Sequence, residues 1–159
     1  MGADPGTFDT VESILAQAIA MEMQAARMYE NAADRSATEP IRDRLLEIAG
    51  QEWAHKARLE EIQSGNVRWA MRRAKADAVP DLRISDHLLG GSLEPDADYQ
   101  DVLIFAARRE KTAHDFYQAM SEKVDDALIR DVLEMLAAEE LRHKYLLEKT
   151  YEELAYQDF

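Results

Sequence analysis

Two short stretches of the sequence place a histidine three residues after a glutamate, a spacing that can hold a metal ion on one face of a helix. The first is EWAH, Glu52 to His55, and the second is ELRH, Glu140 to His143, in a chain with 4 histidines. Carboxylate and imidazole together suit iron, manganese or zinc, whereas magnesium and calcium seldom recruit imidazole. One such pair is a weak signal, so its repetition is what indicates a metal site.

The two stretches belong to an internal repeat with an offset of 88 residues, the separation between Glu52 and Glu140. The same offset aligns Glu22 with Glu110 and brings many other identical residues into register without a gap. Two copies of one helical hairpin predict a four-helix bundle with pseudo-twofold symmetry, because a solenoid needs at least about three repeats.

Hydrophobic periodicity predicts four long helices arranged as two pairs. Asp9, with Glu12 three residues later, predicts a helix N-cap with a capping-box partner. This start opens a helix pair over about residues 10–63. An N-cap at Asp98 opens the second pair, over about residues 98–155.

The connection between the pairs, about residues 64–97, contains Pro80 and Pro95 and a glycine pair. Its length allows it to cross the whole bundle, and we expect the third long helix to begin at the same end as the first. The connection also carries a basic group, interpreted as a solvated face or, alternatively, a docking surface. That group is Arg68, Arg72, Arg73 and Lys75.

The glutamates and histidines of the repeat are expected to meet in one layer. In each hairpin, the glutamate of the first helix and the Glu-x-x-His of the second lie about equally far from the turn, roughly 22 to 27 Å along the axis. Four carboxylates in a core layer would repel one another and lose hydration, and two divalent cations would balance their charge. The candidate metal ligands are Glu22, Glu52, His55, Glu110, Glu140 and His143.

Composition favours a single all-α domain over residues 1–159. Hydrophobic residues make up 47%, with only 6 Gly and 4 Pro, which suits long helices. A net charge of −13 argues against nucleic acid. No apolar run reaches the ~18 residues of a membrane span and no secretion signal is recognisable, so a cytoplasmic protein is expected. The absence of cysteine leaves oxygen and nitrogen as metal ligands.

The sequence resembles the rubrerythrin family of the ferritin-like superfamily over nearly its whole length. The resemblance is carried by AIAMEMQAARMY, EWAH, PDLRISDHLLGGSLEPDADYQDVLIFAARREKTAHDFY and AAEELRHKYL. It implies a ferritin-like four-helix bundle with two iron ions, manganese or a mixed pair being the alternatives. By position it implies that Glu22 and Glu110 are terminal carboxylate ligands and that Glu52 and Glu140 are bridging carboxylates. It also implies that His55 and His143 are terminal nitrogen ligands.

The resemblance also implies a function. Family members reduce hydrogen peroxide or react with oxygen, so an oxidoreductase of this kind is expected. Many of them carry a four-cysteine rubredoxin domain, and this chain would need an external electron donor such as a rubredoxin-type protein. Better-studied members have a further glutamate in the third helix. In this chain the positions three residues before and after Glu110 are alanines, Ala107 and Ala113. Iron storage with a ferroxidase-like subunit and a helical interaction module with structural metals stay open, and a homo-oligomer, most simply a dimer, is expected.

Three other residues near the predicted layer have more than one interpretation. Tyr29 and Tyr117 lie seven residues beyond Glu22 and Glu110, on the same helical faces. They are expected to donate hydrogen bonds to a ligand or act as redox-active phenols, or else to be core tyrosines with satisfied hydroxyls. His114 is a candidate extra ligand or proton donor, or a packed or solvent-facing histidine.

Overall fold

The computed structural model is α-helical and free of β-strands in the residues that it describes, namely 10–35, 39–65, 81–87, 91–92 and 97–157. The helices within these ranges are α1 (Val11–Asp34), α2 (Glu39–Gln63), α3 (Ile84–His87), α4 (Tyr99–Lys123) and α5 (Ala127–Gln157). The predicted all-α class with two long helix pairs is therefore confirmed. None of these helices combines the length and hydrophobicity that a bilayer crossing requires.

Helix α1 begins with a capping box one residue later than the sequence indicated. Thr10 is the N-cap: its hydroxyl accepts from the backbone N–H of Ser13 at 3.1 Å, and Ser13 Oγ accepts from Thr10 N at 3.3 Å. The predicted box of Asp9 and Glu12 is wrong, because the extended residue before the helix is Thr10 and Ser13 occupies the third helical position. The N-cap predicted at Asp98 is confirmed.

Two buried apolar clusters lie on opposite sides of the bundle's middle. One joins the start of α1 to the end of α2, the end of α4 and the start of α5. Its members include Leu15, Leu59, Met120 and Leu136. The other joins the remaining four helix ends, with members that include Ala33, Leu45, Leu103 and Leu147. Each cluster closes one end of the bundle with apolar side chains, which leaves the middle layer for polar residues.

Helix α4 begins at the end of the bundle where α1 finishes. The hydroxyl of Tyr99 donates to the carbonyl oxygen of Arg35 at 3.0 Å, which places the two helix ends side by side. The chain therefore passes from one end of the bundle to the other between Gly65 and Asp98, and the long helices run up, down, down and up. The predicted crossover is confirmed.

The predicted starting end of the third long helix is wrong. Helix α2 finishes at the end where α1 starts, so a connection that crosses the bundle must deliver the chain to the opposite end. The basic residues of this connection lie outside the described part of the chain, so their interpretation stays a prediction.

The described linker segment is held on α5 by a buried lysine. Lys144 Nζ lies 2.6 Å from Asp81 Oδ1, 3.2 Å from Asp86 Oδ1 and 3.2 Å from Glu148 Oε1. Glu148 Oε2 in turn accepts from the backbone N–H of Ser85 at 2.6 Å. Three carboxylates around one ammonium group compensate its lost hydration, and together they tie residues 81–86 to the helix.

The repeat counterpart of this pair lies on the surface. Lys56 Nζ is 2.8 Å from Glu60 Oε1, with side chains 24% and 49% exposed, whereas Lys144 and Glu148 are 0% and 1% exposed. The two halves thus carry the same lysine–glutamate spacing in different environments, because residues 81–86 pack over the second copy.

Candidate metal centre

The structure brings the six predicted residues into one buried layer between the two apolar clusters. All six are at most 2% exposed. Their ligand atoms form two groups of four, and within each group all atoms lie within 4.8 Å of one another. The first group is Glu22, Glu52, His55 and Glu140, and the second is Glu52, Glu110, Glu140 and His143. The two groups share Glu52 and Glu140.

The helix registers explain why these side chains meet. Glu22 stands on α1 and Glu110 on α4, each in the middle of its helix, and a Glu-x-x-His segment stands at the same height on α2 and on α5. Three-residue spacing keeps each glutamate and its histidine on one helical face. Apolar residues one turn before and after complete that face, such as Ile48 and Leu59 on α2.

Both imidazole rings turn their Nδ1 atoms toward the carboxylates. His55 Nδ1 lies 2.8 Å from Glu140 Oε1, and His143 Nδ1 lies 2.7 Å from Glu52 Oε1. Each histidine thus reaches a carboxylate of the other hairpin. The rings stack with centroids 5.5 Å apart and planes 11° apart. The two nitrogen donors consequently face the same carboxylate-lined interior.

Tyr29 and Tyr117 also make contacts between the hairpins. The hydroxyl of Tyr29 donates to Glu110 Oε1, and that of Tyr117 donates to Glu22 Oε1 at 2.5 Å. Burial together with the charge of the paired glutamate raises the pKa of both phenols well above the ordinary value. Both phenols therefore stay protonated and serve as donors. They are also members of the two apolar clusters, so the hydrogen bond to a glutamate and the core position occur together, whereas the role as redox-active phenols stays a prediction.

The two shared carboxylates hold protons most readily. Burial, reinforced by the charges of Glu110 and Glu22, raises the pKa of Glu52 well above its usual range. Burial and the same two charges raise the pKa of Glu140 as well. Protons on the shared pair relieve the repulsion among four clustered carboxylates when no cation does so.

The pKa of His55 is also raised, although burial acts against it. Burial alone would lower its pKa, but the charge of Glu22 and a hydrogen bond to Glu139 outweigh burial and raise the pKa to about 10. Burial likewise opposes ionisation of Glu22, yet the charge of His55 lowers the pKa of that carboxyl. The layer therefore favours cationic partners for its carboxylates.

Unpaired polar atoms show that the layer suits metal ions. Five of its buried atoms make no hydrogen bond of good geometry, although two of them, Glu52 Oε1 and His143 Nδ1, lie 2.7 Å apart. The five atoms are Glu22 Oε2, Glu52 Oε1, Glu110 Oε2, Glu140 Oε2 and His143 Nδ1. An unmade hydrogen bond on a buried group costs about 1 to 3 kcal/mol, and more on a charged one. Two divalent cations would engage these atoms and balance four ionised carboxylates with neutral imidazoles. The donor set thus fits a dinuclear metal centre.

Two residues that the sequence interpretation missed contact the outer nitrogens of the histidines. His55 Nε2 donates to Glu139 Oε2, and His143 Nε2 donates to Gln51 Oε1 at 2.5 Å. Arg58 Nη1 lies 3.2 Å from Glu139 Oε1. Gln51 and Glu139 are repeat counterparts, and each directly precedes the glutamate of a Glu-x-x-His segment. This matching position beside a predicted ligand was the sequence signal that could have identified both residues.

His114 lies outside both four-residue groups. Its Nδ1 donates to the carbonyl oxygen of Ala137 at 2.8 Å, so the half-buried ring joins α4 to α5. The interpretation as a packed histidine fits this contact. Of the alanines that flank Glu110, Ala107 is buried among apolar residues and Ala113 borders a cavity.

That cavity, about 260 Å³ in volume, lies between α1 and α4 and ends at the carboxylates. The exposed side chains Gln17, Gln24 and Thr112 line it together with the buried glutamates, so it connects the layer with the surface. One water needs only about 15 Å³ of such space, and a molecule of two heavy atoms therefore fits easily.

An all-α bundle of two hairpins whose middle layer holds two carboxylate–histidine groups with shared glutamates defines a ferritin-like protein with a candidate dinuclear site. The family model described as Rubrerythrin matches residues 13–85 and 101–158, which include all six residues of the layer. The chain belongs to the rubrerythrin family. No curated protein and no solved structure shows a significant match to it.

Proposed function

We propose that this protein is a di-iron oxidoreductase that reduces hydrogen peroxide or oxygen with electrons from an external donor. The observation that carries the proposal is the sharing of Glu52 and Glu140 between two four-residue groups, as expected of carboxylates that bridge two ions. Oxygen-rich groups with one imidazole each suit iron, with manganese as the alternative metal. Two ferrous ions would supply one electron each, so that peroxide and two protons yield two waters, or oxygen and two protons yield peroxide.

Each residue of the layer then has a defined role. Glu22 with His55 would bind one ion, Glu110 with His143 the other, and the shared pair both. Tyr29 and Tyr117 hold one oxygen of each terminal glutamate, and the second oxygen, Oε2, is left without a hydrogen bond and available to a cation. Side chains fixed in this way need little rearrangement when an ion binds.

The surroundings of the layer admit small molecules on one side and exclude water at the two ends of the bundle. The cavity between α1 and α4 admits a small oxidant to the carboxylates, and Met21, Ala25 and Ala113 give its wall an apolar part. The apolar clusters on either side of the layer exclude water from the two ends of the bundle. The 159 residues include no cysteine and therefore hold no rubredoxin-type iron site, and a donor of the rubredoxin type external to them would supply the electrons.

Anaerobic iron loading followed by oxidant titration tests the proposal. We expect two ferrous ions per chain, oxidised by about one peroxide per pair, with ferric absorption following the reaction and the faster oxidant identifying the substrate. Glu52→Ala should lose both ions because both groups share this residue, whereas the exposed Glu60→Ala on the same helix should keep both. Less than one ion per wild-type chain, or iron that neither oxidant touches, contradicts the proposal. Loading far beyond two ions would indicate storage.

A further inference from the structure

We infer that the two halves of the centre bind metal unequally: Glu139 makes the half that contains His55 the tighter site, and Gln51 leaves the half that contains His143 the weaker one. This inference rests on the proposed metal centre, and it concerns two residues outside the six proposed ligands. Glu139 and Gln51 act through the histidines that they contact, so they are positioning residues.

The asymmetry arises at matching positions of the repeat. Each histidine points Nδ1 into the layer and donates from Nε2 to a residue of the other hairpin. The acceptor is a carboxylate for His55 and a neutral amide for His143. A ligand imidazole that donates to a carboxylate is a stronger base toward its metal than one that donates to an amide, because the negative acceptor draws the proton outward.

Glu139 is held as a carboxylate by its own partners. Arg58 contacts Oε1 at 3.2 Å and His55 contacts Oε2, so each oxygen has a separate donor. Gln51 holds no charge at any pH, so it supplies orientation to His143 without added basicity.

The more basic imidazole of His55 should affect both the order in which the ions bind and the oxidation state that each group favours. The first ion to enter should occupy the group of Glu22 and His55, and the second should occupy the group of Glu110 and His143. An ion of higher charge gains more from a basic imidazole, so the first group is also the one that favours the more oxidised ion.

Stepwise titration of the metal-free protein with Co²⁺, followed by its visible spectrum against a competing chelator, tests the inference. Removal of an outer hydrogen-bond partner commonly weakens metal binding by about 10- to 100-fold. Glu139→Gln should weaken the tighter step by about that factor, and Gln51→Glu should tighten the weaker step. Glu134→Gln, at an exposed position of the same helix, is the matched control and should change neither step.

Single-group variants assign the steps. Glu22→Ala should abolish the tighter step and Glu110→Ala the weaker one. Repulsion between the two ions contributes to the difference between the two binding steps in every variant. The inference is therefore judged by how the affinity of each step changes from one variant to another. Unchanged steps in both Glu139→Gln and Gln51→Glu, or loss of the tighter step in Glu110→Ala, would overturn the inference alone. Wild-type protein that fails to bind two Co²⁺ would overturn the metal centre as well. If Glu139→Gln does not fold, Gln51→Glu carries the test.

Discussion

The hydroxyl of Tyr117 lies 2.5 Å from Glu22 Oε1, although 95 residues separate the two along the chain. Tyr29 makes the equivalent contact with Glu110, so each tyrosine fixes the glutamate of the opposite hairpin. These contacts place a neutral donor on Glu22 and on Glu110, and they join the hairpins at the level of the proposed metal centre.

Loss of the Tyr117 hydroxyl should weaken both the fold and metal binding. Tyr117→Phe leaves a buried carboxylate oxygen without its donor, which we expect to lower the free energy of unfolding by about 1 to 3 kcal/mol. Metal affinity should fall by about 10-fold because Glu22 is no longer oriented. Urea unfolding and Co²⁺ titration measure the two effects. The half-buried Tyr145→Phe is the control, and an equal loss there would contradict the specific role of Tyr117.

A larger side chain at Ala113 should close the route to the carboxylates. Ala113→Leu puts three more carbon atoms into a cavity of about 260 Å³ next to the proposed metals. We expect peroxide to oxidise the iron-loaded protein more slowly while the iron content stays at the wild-type level. Stopped-flow absorption gives the rate. Ala119→Leu, at an exposed position of the same helix, should leave the rate unchanged. An unaffected rate in Ala113→Leu would mean that the oxidant enters elsewhere.

Metal binding should weaken as the pH falls. Burial and neighbouring charges raise the pKa values of Glu52 and Glu140, and the pKa of His55 is raised to about 10. The metal-free layer therefore holds protons near neutral pH that an entering ion must displace, at about tenfold in affinity per pH unit for each proton. Co²⁺ titrations from about pH 8 to about pH 6, in buffers of different ionisation enthalpy, measure the affinity and the protons released. Binding without proton release would contradict this account.

Lys144 should matter far more to stability than its repeat counterpart. Lys144→Met leaves Asp81, Asp86 and Glu148 around a missing cation, and the loss of one partner from a buried charged cluster costs about 3 to 5 kcal/mol. Lys56→Met removes the same kind of pair from the surface and should cost at most about 1 kcal/mol. Thermal or urea unfolding compares the two variants. Similar losses would show that the linker segment adds little to the fold.

Periodicity and the gap-free repeat sufficed to predict the all-α class, the helix pairs and the six residues that the structure gathers in one layer. Helical rise fixes height along an axis, so Glu22 and the segment from Glu52 to His55 are matched by counting residues from one turn. The capping box shows the limit of such reading, because Thr10 and Asp9 are both good caps and only the local backbone decides between them.

Relations between the hairpins were less accessible to prediction. Counting residues within one hairpin says nothing about which side chain of the other hairpin stands opposite, so the contacts of Gln51 and Glu139 with the histidines were missed. Lys56 and Lys144 are identical in type and repeat position, and their burial differs only through residues 81–86. The direction of α4 was also mispredicted, because it depends on the end to which the crossing connection leads.

Neither hairpin by itself contains a complete four-residue group, since the group around His55 takes Glu140 and the group around His143 takes Glu52. Two separate hairpins would have to find each other before an ion could be held, at a rate set by their concentration. Linkage in one chain replaces that encounter by an internal one at an effective concentration on the order of millimolar. Dilution of the protein should therefore not separate the two halves of the centre, and its capacity to hold metal belongs to each chain individually.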